Sequence, residues 1–301
     1  MSEGLNLMKT PAPVEEETGD SFVGGRNLAP NPRKVGASVT AGRSKSAHSA
    51  LQAWPKIRAQ LRSGDRWALF LDFDGTLVKL RNRPGDVTVP LGVRQVLQRL
   101  VRNPNVLVAI VSGRKLEILR NLVGVEGIRY FGLHGGERDG APAALSQESE
   151  LALECAKHTA RVQLGALPGI WIEDKGLTFS VHHRDAKAAT SETARAALAN
   201  FVSPWKSSLH VLQGSKVWEI LPMEIAGKHA AVHDVLAGLP AGTIVVYAGD
   251  DGTDEPAFVA LGNQITVRVG CTRQTETRAR YCLPAPADML RFLTRLEREL
   301  R

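Results

Sequence analysis

Continuous apolar runs of strand length, separated by helical patterns, constrain the fold of this chain most. One run, WALFLDF, covers residues 67–73, and another, VLVAIV, covers residues 106–111. Between them, apolar residues recur at i, i+3, i+4, i+7 and i+8 from Val93, which is typical of an amphipathic helix. Strands that are apolar on both faces occur in parallel sheets covered by helices on both sides. The sequence therefore predicts an α/β fold with a Rossmann-like parallel sheet and right-handed crossovers.

The middle of the chain has a different pattern. It predicts a helix near 147–165, two strands about a tight turn near Lys175–Gly176, a second helix near 186–202, and a strand in LHVLQG. We interpret residues 140–215 as a small α/β cap domain inserted into the first domain. The core is then expected to cover residues 56–139 and 216–301, with KVWEILP as its first returning strand.

The first 50 residues carry no hydrophobic periodicity. They are rich in Ala, Gly, Ser and Pro and contain an acidic cluster at residues 15–17. Such a segment cannot bury enough apolar surface to offset its ordering entropy. Residues 1–50 are therefore predicted to be a disordered tail.

Composition bounds the class of partner. The chain has 301 residues and a formal net charge of +7, which suits either a nucleic acid or an anionic small molecule. We favour the small molecule, because no basic run with interleaved aromatic residues occurs. No apolar run is long enough for a membrane span, the N-terminus does not resemble a secretory signal, and the three cysteines have no CxxC spacing. We expect a cytoplasmic monomer with reduced cysteines and no nucleic-acid or membrane partner.

Polar residues with chemical potential follow the predicted strands. The first strand ends in Asp72 and Asp74, and the second ends in Ser112. Lys228 lies in EIAGKHAAV, and an acidic group follows the strand TIVVYAG. Each feature alone is compatible with an ordinary turn or a solvated helix start. Together they predict a ligand site, because ligands of such sheets bind outside the carboxyl ends of the strands.

The motifs DFDGTL and GDDGTDE resemble the haloacid dehalogenase (HAD) superfamily of phosphotransferases, from about Trp67 to the C-terminus. GLHGGE, IEDKGLTFSVHHR and KVWEILP are similar to the trehalose-6-phosphate phosphatases within it. The resemblance implies a HAD core with an inserted C2-type α/β cap between the serine and lysine motifs. One departure is Gly227-Lys228-His229, where that family usually has Asn-Lys-Gly.

The two neighbouring aspartates have natural roles in phosphate ester hydrolysis. Asp72 is the expected nucleophile, and Asp74 is the expected general acid and then base. Such close carboxylates repel each other unless a cation lies between them. We therefore expect Mg²⁺, with Asp72, Asp74 and Asp250 as ligands, Asp74 through its backbone carbonyl by the resemblance. Asp251 and Asp254 are expected to lie behind them and orient the metal or Lys228.

The remaining candidates would bind the substrate. Ser112 and Lys228 would contact the phosphoryl group, and the amides around Gly75 and Thr76 would cradle its oxygens. The other candidates, taken partly from the resemblance, are Arg114, His134, Glu173, Lys175 and Glu219. Alternatives remain for several of them: Glu173–Lys175 as an exposed ion pair, His134 as a structural residue, and Arg114 as a helix start.

The expected function is hydrolysis of trehalose 6-phosphate to trehalose and phosphate, through an aspartyl-phosphate. Three alternatives stay open: a phosphatase for another sugar phosphate, such as sucrose 6-phosphate or mannosyl-3-phosphoglycerate, a non-catalytic sugar-phosphate sensor, and nucleic-acid end processing.

Overall fold

The structure, a computed structural model, describes residues 47–81, 84–138, 141–272 and 275–301. The predicted disordered tail lies outside the described residues, apart from its last four positions. In the described ranges the strands are β1 (His48–Ser49), β2 (Trp67–Leu71), β3 (Val106–Val111), β4 (Arg129–Gly132), β5 (Glu137–Arg138), β6 (Ala141–Pro142), β7 (Trp171–Asp174), β8 (Phe179–His182), β9 (Leu209–Gly214), β10 (Val217–Pro222), β11 (Ile244–Gly249), β12 (Ile265–Val269) and β13 (Tyr281–Leu283). The α-helices are α1 (Trp54–Leu61), α2 (Leu91–Leu100), α3 (Leu116–Val123), α4 (Gln147–Leu164), α5 (Ala188–Val202), α6 (Lys228–Ala237), α7 (Glu255–Leu261) and α8 (Pro286–Glu299).

The core is one large sheet in the order β1-β13-β12-β11-β2-β3-β4-β5-β6. Every pairing from β1 to β4 is parallel, and only the short strands β5 and β6 add antiparallel pairs at one edge. Strand β2 lies between β11 and β3 near the centre of the sheet. The predicted Rossmann-like parallel sheet is therefore confirmed.

Alternation along β2 shows how helices cover both faces of the sheet. Leu69 and Leu71 pack on one face, with the apolar residues of α1, α2, α3 and α8. Ala68 and Phe70 pack on the other face, with those of α6 and α7. Burial on both faces explains why the strand reads as a continuous apolar run.

The cap has its own sheet and its own apolar core. Its four strands run in the order β7-β8-β10-β9, all antiparallel, and α4 and α5 pack against them. Strand β10 leaves the cap, and the chain re-enters the core at α6. The predicted α/β cap is confirmed, and α4 and α5 lie close to the predicted helices.

Three predicted boundaries are wrong. KVWEILP was assigned to the core, but Val217–Pro222 pairs with β8 and β9 in the cap sheet, so the core resumes only with α6. Its apolar residues misled the assignment, because a strand buried in the cap has the same composition as a strand buried in the core. At the other end, Ala141–Pro142 pairs in the core sheet. His48–Ser49, assigned to the tail, pairs with Tyr281–Cys282.

The expectation of three reduced cysteines is also wrong. Cys271 and Cys282 form a disulfide between the end of β12 and β13, and Cys155 is free. The disulfide removes the cysteine argument for a reducing compartment. None of the described helices has the length and apolarity to cross a bilayer.

Candidate active site

One cleft at the carboxyl edge of the core sheet brings most of the predicted residues together. The core contributes the residues after β2, β3 and β11, together with the start of α6, and the cap contributes residues from β7, β8 and β10. The predicted residues that line it are Asp72, Asp74, Ser112, Arg114, His134, Glu173, Lys175, Glu219, Lys228, Asp250 and Asp251. Gly75, Thr76 and Asp254 lie directly behind this lining, in contact with it.

Asp72 is buried and held at both carboxylate oxygens. Lys228 Nζ donates to Asp72 Oδ1 at 2.7 Å, and Thr76 Oγ1 donates to Asp72 Oδ2 at 2.9 Å. Burial raises the pKa of Asp72 to about 7, against the lowering effect of Lys228. The charge of this carboxylate is therefore poorly stabilised in the metal-free site, as expected for a group that must be partnered or react.

Asp254 organises the cationic side of the site. Its Oδ1 accepts hydrogen bonds from Lys228 Nζ at 2.9 Å and from the Tyr247 hydroxyl at 2.8 Å. Its Oδ2 accepts from the backbone amides of Asp250 and Asp251, at 3.0 and 3.1 Å. Burial works to lower the pKa of Lys228, but Asp254 and Asp72 outweigh it and raise the pKa well above its ordinary value. Lys228 therefore remains a cation beside Asp72.

Carboxylates converge where a metal ion was predicted. Oxygens of Asp72, Asp250 and Asp254 lie within 4.8 Å of one another. Burial and the charge of Asp72 raise the pKa of Asp250 well above its ordinary value. Gly75, with φ of 80°, makes room for Asp250, because a Cβ at Gly75 would overlap the Asp250 carboxylate. Hard carboxylate oxygens crowded in this way fit a divalent cation such as Mg²⁺.

The carboxylate of Asp74, a predicted metal ligand, lies apart from the other acidic side chains. Its carboxylate is not in the converging group and instead accepts two hydrogen bonds from Arg114, Nε to Oδ2 at 2.6 Å and Nη2 to Oδ1 at 2.8 Å. A carboxylate held in this bidentate way is not available as a metal ligand. The Asp74 backbone carbonyl remains the prediction for that contact. Arg114, predicted to reach phosphate, binds Asp74 in this structure.

Ser112 lies at the end of β3 and is buried. Its amide donates to the Phe131 carbonyl, which fixes the end of β3 against β4, and its Oγ accepts from the Arg114 amide at 3.2 Å. The hydroxyl hydrogen is then free to rotate toward a bound anion in the cleft. This geometry is what a phosphate contact at Ser112 requires.

The cap wall of the cleft contains a buried ion pair. Lys175 Nζ lies 3.1 and 3.2 Å from the two Glu219 oxygens, and Ser180 Oγ donates to Glu219 Oε2 at 2.6 Å. Burial works to raise the pKa of Glu219, but Lys175 and these hydrogen bonds outweigh it and hold the pKa far below its ordinary value. The cap therefore presents a fixed carboxylate and a fixed ammonium to the cleft.

Glu173 lies beside this pair and is less buried. Its Oε2 is 3.0 Å from His182 Nε2 and 3.9 Å from Lys175 Nζ. Burial works to raise the pKa of Glu173, but His182 and Lys175 lower it overall. The His182 ring stacks on Trp171 with centroids 3.9 Å apart. Glu173 and Lys175 thus line the cleft together and do not form a simple exposed pair.

His134 has unusual surroundings. It is 4% exposed and has φ of 58°, and within the described residues neither of its ring nitrogens has a hydrogen-bond partner. The ring lies against Gly113, where a Cβ would be 2.7 Å from Nε2, and Nε2 is 3.9 Å from Glu219 Oε2. A buried polar group without a partner is costly. The Glu219 carboxylate is the charged group that faces Nε2, and His134 contributes to lowering the pKa of Glu219.

Three residues of the site were missed from the sequence. Tyr247 binds Asp254, Ser180 binds Glu219, and His182 binds Glu173. The signal for Tyr247 was a hydroxyl in the otherwise apolar strand β11. Ser180 and His182 share one face of β8, and each contacts a predicted carboxylate. His183 instead stacks on Trp218 within the cap.

The comparisons with known proteins agree with this geometry. The family model described as trehalose-phosphatase matches residues 70–287. The trehalose-phosphate phosphatase of Mycobacterium tuberculosis (strain H37Rv) is 34% identical over 248 residues, which cover 78% of this chain and 62% of that protein. This chain thus spans about three fifths of the length of that relative.

Solved structures show the same fold. The C-terminal domain of C. albicans trehalose-6-phosphate phosphatase matches with a TM-score of 0.70 and 19% identity, over 85% of this chain and 99% of that one. A haloacid dehalogenase-like hydrolase from Bacteroides thetaiotaomicron matches with a TM-score of 0.55 and 14% identity, over 77% and 99%. This chain therefore shares the fold of these structures, and by its match to the family model it belongs to the trehalose-phosphatase family.

Proposed function

We propose that the protein is a Mg²⁺-dependent phosphatase that hydrolyses trehalose 6-phosphate to trehalose and inorganic phosphate. One observation carries the proposal: a buried carboxylate paired with a lysine, Asp72 with Lys228, lies across the cleft from a polar cap wall. The first half of that arrangement suits phosphoryl transfer, and the second suits a sugar. The names of the mycobacterial relatives support the same substrate.

In the proposed reaction, Asp72 attacks phosphorus in line with the leaving oxygen. An Asp72 O–P bond forms as the bond between phosphorus and the C6 oxygen of the sugar breaks. Asp74, which must first leave Arg114 and take up a proton from solvent, gives that proton to the departing oxygen. Asp74 then takes a proton from a water molecule that attacks the aspartyl-phosphate, which restores Asp72 and releases phosphate. For this, the bidentate bond from Arg114 to Asp74 must open, and we propose that Arg114 turns to the phosphoryl group as substrate enters.

Positive charge around Asp72 would stabilise the phosphoryl group. Lys228 lies 2.7 Å from Asp72 and keeps its charge through Asp254. Ser112 would donate its hydroxyl to one phosphoryl oxygen. These groups are fixed before substrate binds, which is the condition for effective electrostatic catalysis. The predicted phosphate cradle at Gly75 and Thr76 is wrong, because these two amides already donate to the Val78 and Phe73 carbonyls within their own turn.

Asp72 and Asp250 are the proposed side-chain ligands of Mg²⁺, with the Asp74 carbonyl as a further ligand. When bound, the ion would neutralise the crowded carboxylates and polarise the phosphoryl oxygens. Asp254 already accepts four hydrogen bonds, so we assign it to orienting Lys228 and the backbone of the Asp250 loop.

The cap would choose the alcohol. Glu173, Lys175 and Glu219 offer acceptors and a donor to sugar hydroxyls, which both donate and accept. His134 lies between this group and the phosphate side of the cleft, next to Gly113. We propose that a hydroxyl of the first sugar ring satisfies its ring nitrogen.

We further propose that the chain acts as a monomer in the cytoplasm, where phosphorylated sugars are retained by their charge. Light scattering during gel filtration should give a mass near the 32.6 kDa of the chain. A mass of twice that value would show that the protein is a dimer and would contradict the proposed monomer.

The function is tested by phosphate release from trehalose 6-phosphate, sucrose 6-phosphate, mannosyl-3-phosphoglycerate and an aryl phosphate, with Mg²⁺ and again with EDTA. We expect the highest kcat/KM for trehalose 6-phosphate and loss of activity in EDTA. A higher kcat/KM for another sugar phosphate would show that this compound, and not trehalose 6-phosphate, is the preferred substrate. Binding of trehalose 6-phosphate without any phosphate release would indicate a sensor.

A further inference from the structure

The tip of a cap hairpin reaches the loop that follows β11 in the core. The backbone amide of Ser215, in the turn between β9 and β10, donates to Asp251 Oδ2 at 3.0 Å. The approach is close enough to require glycine: a Cβ at Gly252 would lie 2.8 Å from the Gln213 carbonyl, and one at Gly214 would lie 3.0 Å from Asp251 Oδ2. The cap and the core therefore meet at a fitted contact.

The Asp251 carboxylate accepts hydrogen bonds from both the cap and the core. Its Oδ1 accepts from the amide and the hydroxyl of Thr253, at 2.9 and 2.6 Å, while Oδ2 accepts from Ser215. The Asp251 amide in turn donates to Asp254 Oδ2, beside the amide of Asp250. One carboxylate thus connects the cap turn to the loop that carries the acidic cluster.

A second polar contact crosses the cleft, but it differs from the first because substrate can displace it. Lys175 Nζ donates to the Gly113 carbonyl at 3.0 Å. Because Lys175 belongs to the proposed sugar-binding group, an entering substrate competes for this bond. The Ser215–Asp251 bond uses a backbone amide and a carboxylate that the proposed reaction leaves aside, so it can persist while substrate is bound.

We propose that Asp251 is a positioning residue that holds the cap closed over the core through the Ser215 amide. Closure would then fix the Asp250 loop and the sugar-binding wall in the same event, as lids do when they complete a site. The proposal rests on the proposed phosphatase activity for its kinetic test, and a second measurement needs no turnover.

The cap side of the bond can be removed with a single substitution. In the Ser215–Lys216 turn only Lys216 has a positive φ, 64°, and Pro is favoured at the first central position of such turns. Ser215→Pro therefore removes the donor, and the ring carbon that replaces the amide hydrogen pushes against Asp251 Oδ2, so the contact opens from the cap side. We expect kcat/KM for trehalose 6-phosphate to fall about tenfold or more, the usual weight of a hydrogen bond to a charged group. An aryl phosphate, too small to contact the cap, should change less than about twofold.

The matched control is Lys216→Gly, which relieves the positive φ of the same turn and keeps the Ser215 amide. We expect its kcat/KM to stay within about twofold of the wild-type value on both substrates. If the two variants have the same kcat/KM for trehalose 6-phosphate, the hydrogen bond from the Ser215 amide to Asp251 does not hold the cap closed, and the proposal is wrong. Thermal melts of the full chain show whether either variant is folded.

The core side is tested with Asp251→Asn and the double variant. In Asp251→Asn one acceptor oxygen becomes an NH₂ group, and we expect the remaining oxygen to stay with the two Thr253 donors, which leaves the Ser215 amide without an acceptor. If both substitutions break the same bond, Ser215→Pro should add less than about twofold to the loss caused by Asp251→Asn alone. Losses that multiply would overturn the proposal. Independently of turnover, hydrogen exchange in the 209–217 hairpin should be faster in Asp251→Asn than in wild type. Unchanged exchange would also overturn it, whereas faster exchange in a protein that releases no phosphate from trehalose 6-phosphate would reject only the proposed function.

Discussion

Asp72 combines burial with the charge that the proposed reaction requires. It is 3% exposed, and Lys228 and Thr76 occupy both of its oxygens. Asp250 and Asp254 add negative charge within 4.8 Å. A stable protein core would avoid this arrangement, and its presence at the end of a central strand is best explained by catalysis.

Asp72→Asn should abolish turnover while the chain stays folded, because a carboxamide cannot form the aspartyl-phosphate. The loss of kcat should be about a thousandfold or more, as for other essential nucleophiles. Phosphate release from trehalose 6-phosphate measures it, with Asp65→Asn, an exposed aspartate, as the control. Wild-type rates in Asp72→Asn would remove Asp72 as the nucleophile.

The same variant should be more stable than wild type in metal-free buffer above pH 7. The folded-state pKa of Asp72 is raised from 3.8 to about 7, so the folded protein holds a proton that the unfolded chain releases between these values. Stability contributed by this group is therefore present below about pH 4 and is lost as pH rises to about 7. An Asn side chain does not ionise, so the variant loses no stability as the pH rises through this range. Lys228 keeps a counter-charge in the variant, because it still donates to Asp254.

With EDTA present, we expect Tm of Asp72→Asn to exceed that of wild type by roughly 3–6 °C at pH 8, and by much less at pH 4. Thermal melts at both pH values measure the difference, again against Asp65→Asn. A gap of equal size at pH 4 and pH 8 would contradict the raised pKa of Asp72.

The identity of the site residues was predictable at this scale, but their partners were not. Asp72, Ser112 and Asp250 follow from their places at strand ends, since parallel strands bring these ends to one edge. Lys228 is the first residue of α6, and the family resemblance singled it out. The bond from Arg114 to Asp74 depends on side-chain rotamers and could not be read from spacing.

Among the elements, β10 shows where pattern reasoning fails. Periodicity predicts that Val217–Pro222 is a buried strand, and it is buried. Which sheet it joins depends on pairing between segments far apart in sequence, and the sequence pattern is equally compatible with either sheet. The pairing matters for the site, because β10 places Glu219 opposite Ser180 of β8, and Lys175 on the β7–β8 connection completes the group.

Glu219→Gln should weaken the binding of trehalose 6-phosphate and also lower the free energy of unfolding of the cap. It leaves the buried Lys175 ammonium without its main counter-charge, a change that costs about 3–5 kcal/mol when a buried pair is broken. We expect KM for trehalose 6-phosphate to rise about tenfold or more and KM for an aryl phosphate to change little. Steady-state kinetics on both substrates and denaturant unfolding measure the two effects.

Glu224→Gln is the matched control, because Glu224 lies two residues beyond β10 and is exposed. It should leave both KM values within about twofold of the wild-type values. Equal increases of KM on the two substrates in Glu219→Gln would remove the sugar-binding role of Glu219.

For the whole molecule, the core and the cap meet at the cleft, and each has a separate apolar core. The division into core and cap was predictable because their sequence patterns differ, while the boundaries were displaced by short strands. The formal net charge of +7 suits an anionic substrate, and most of the local negative charge is concentrated in the acidic cluster at the carboxyl edge. The raised pKa values of Asp72 and Asp250 show that ionising this cluster costs stability, so we expect a bound cation to stabilise the folded chain.

Mg²⁺ should therefore stabilise the folded chain, and more at pH 8 than at pH 5. Saturation at a hundred times Kd contributes about 2.7 kcal/mol, which corresponds to roughly 5–10 °C in Tm for a chain of this size. Protons compete with the metal at low pH, because the pKa values of Asp72 and Asp250 are both raised. Thermal melts across Mg²⁺ concentrations at the two pH values measure the shift. Asp250→Asn should lose most of it and Asp65→Asn should keep it, so an undiminished shift in Asp250→Asn would place the metal away from the acidic cluster.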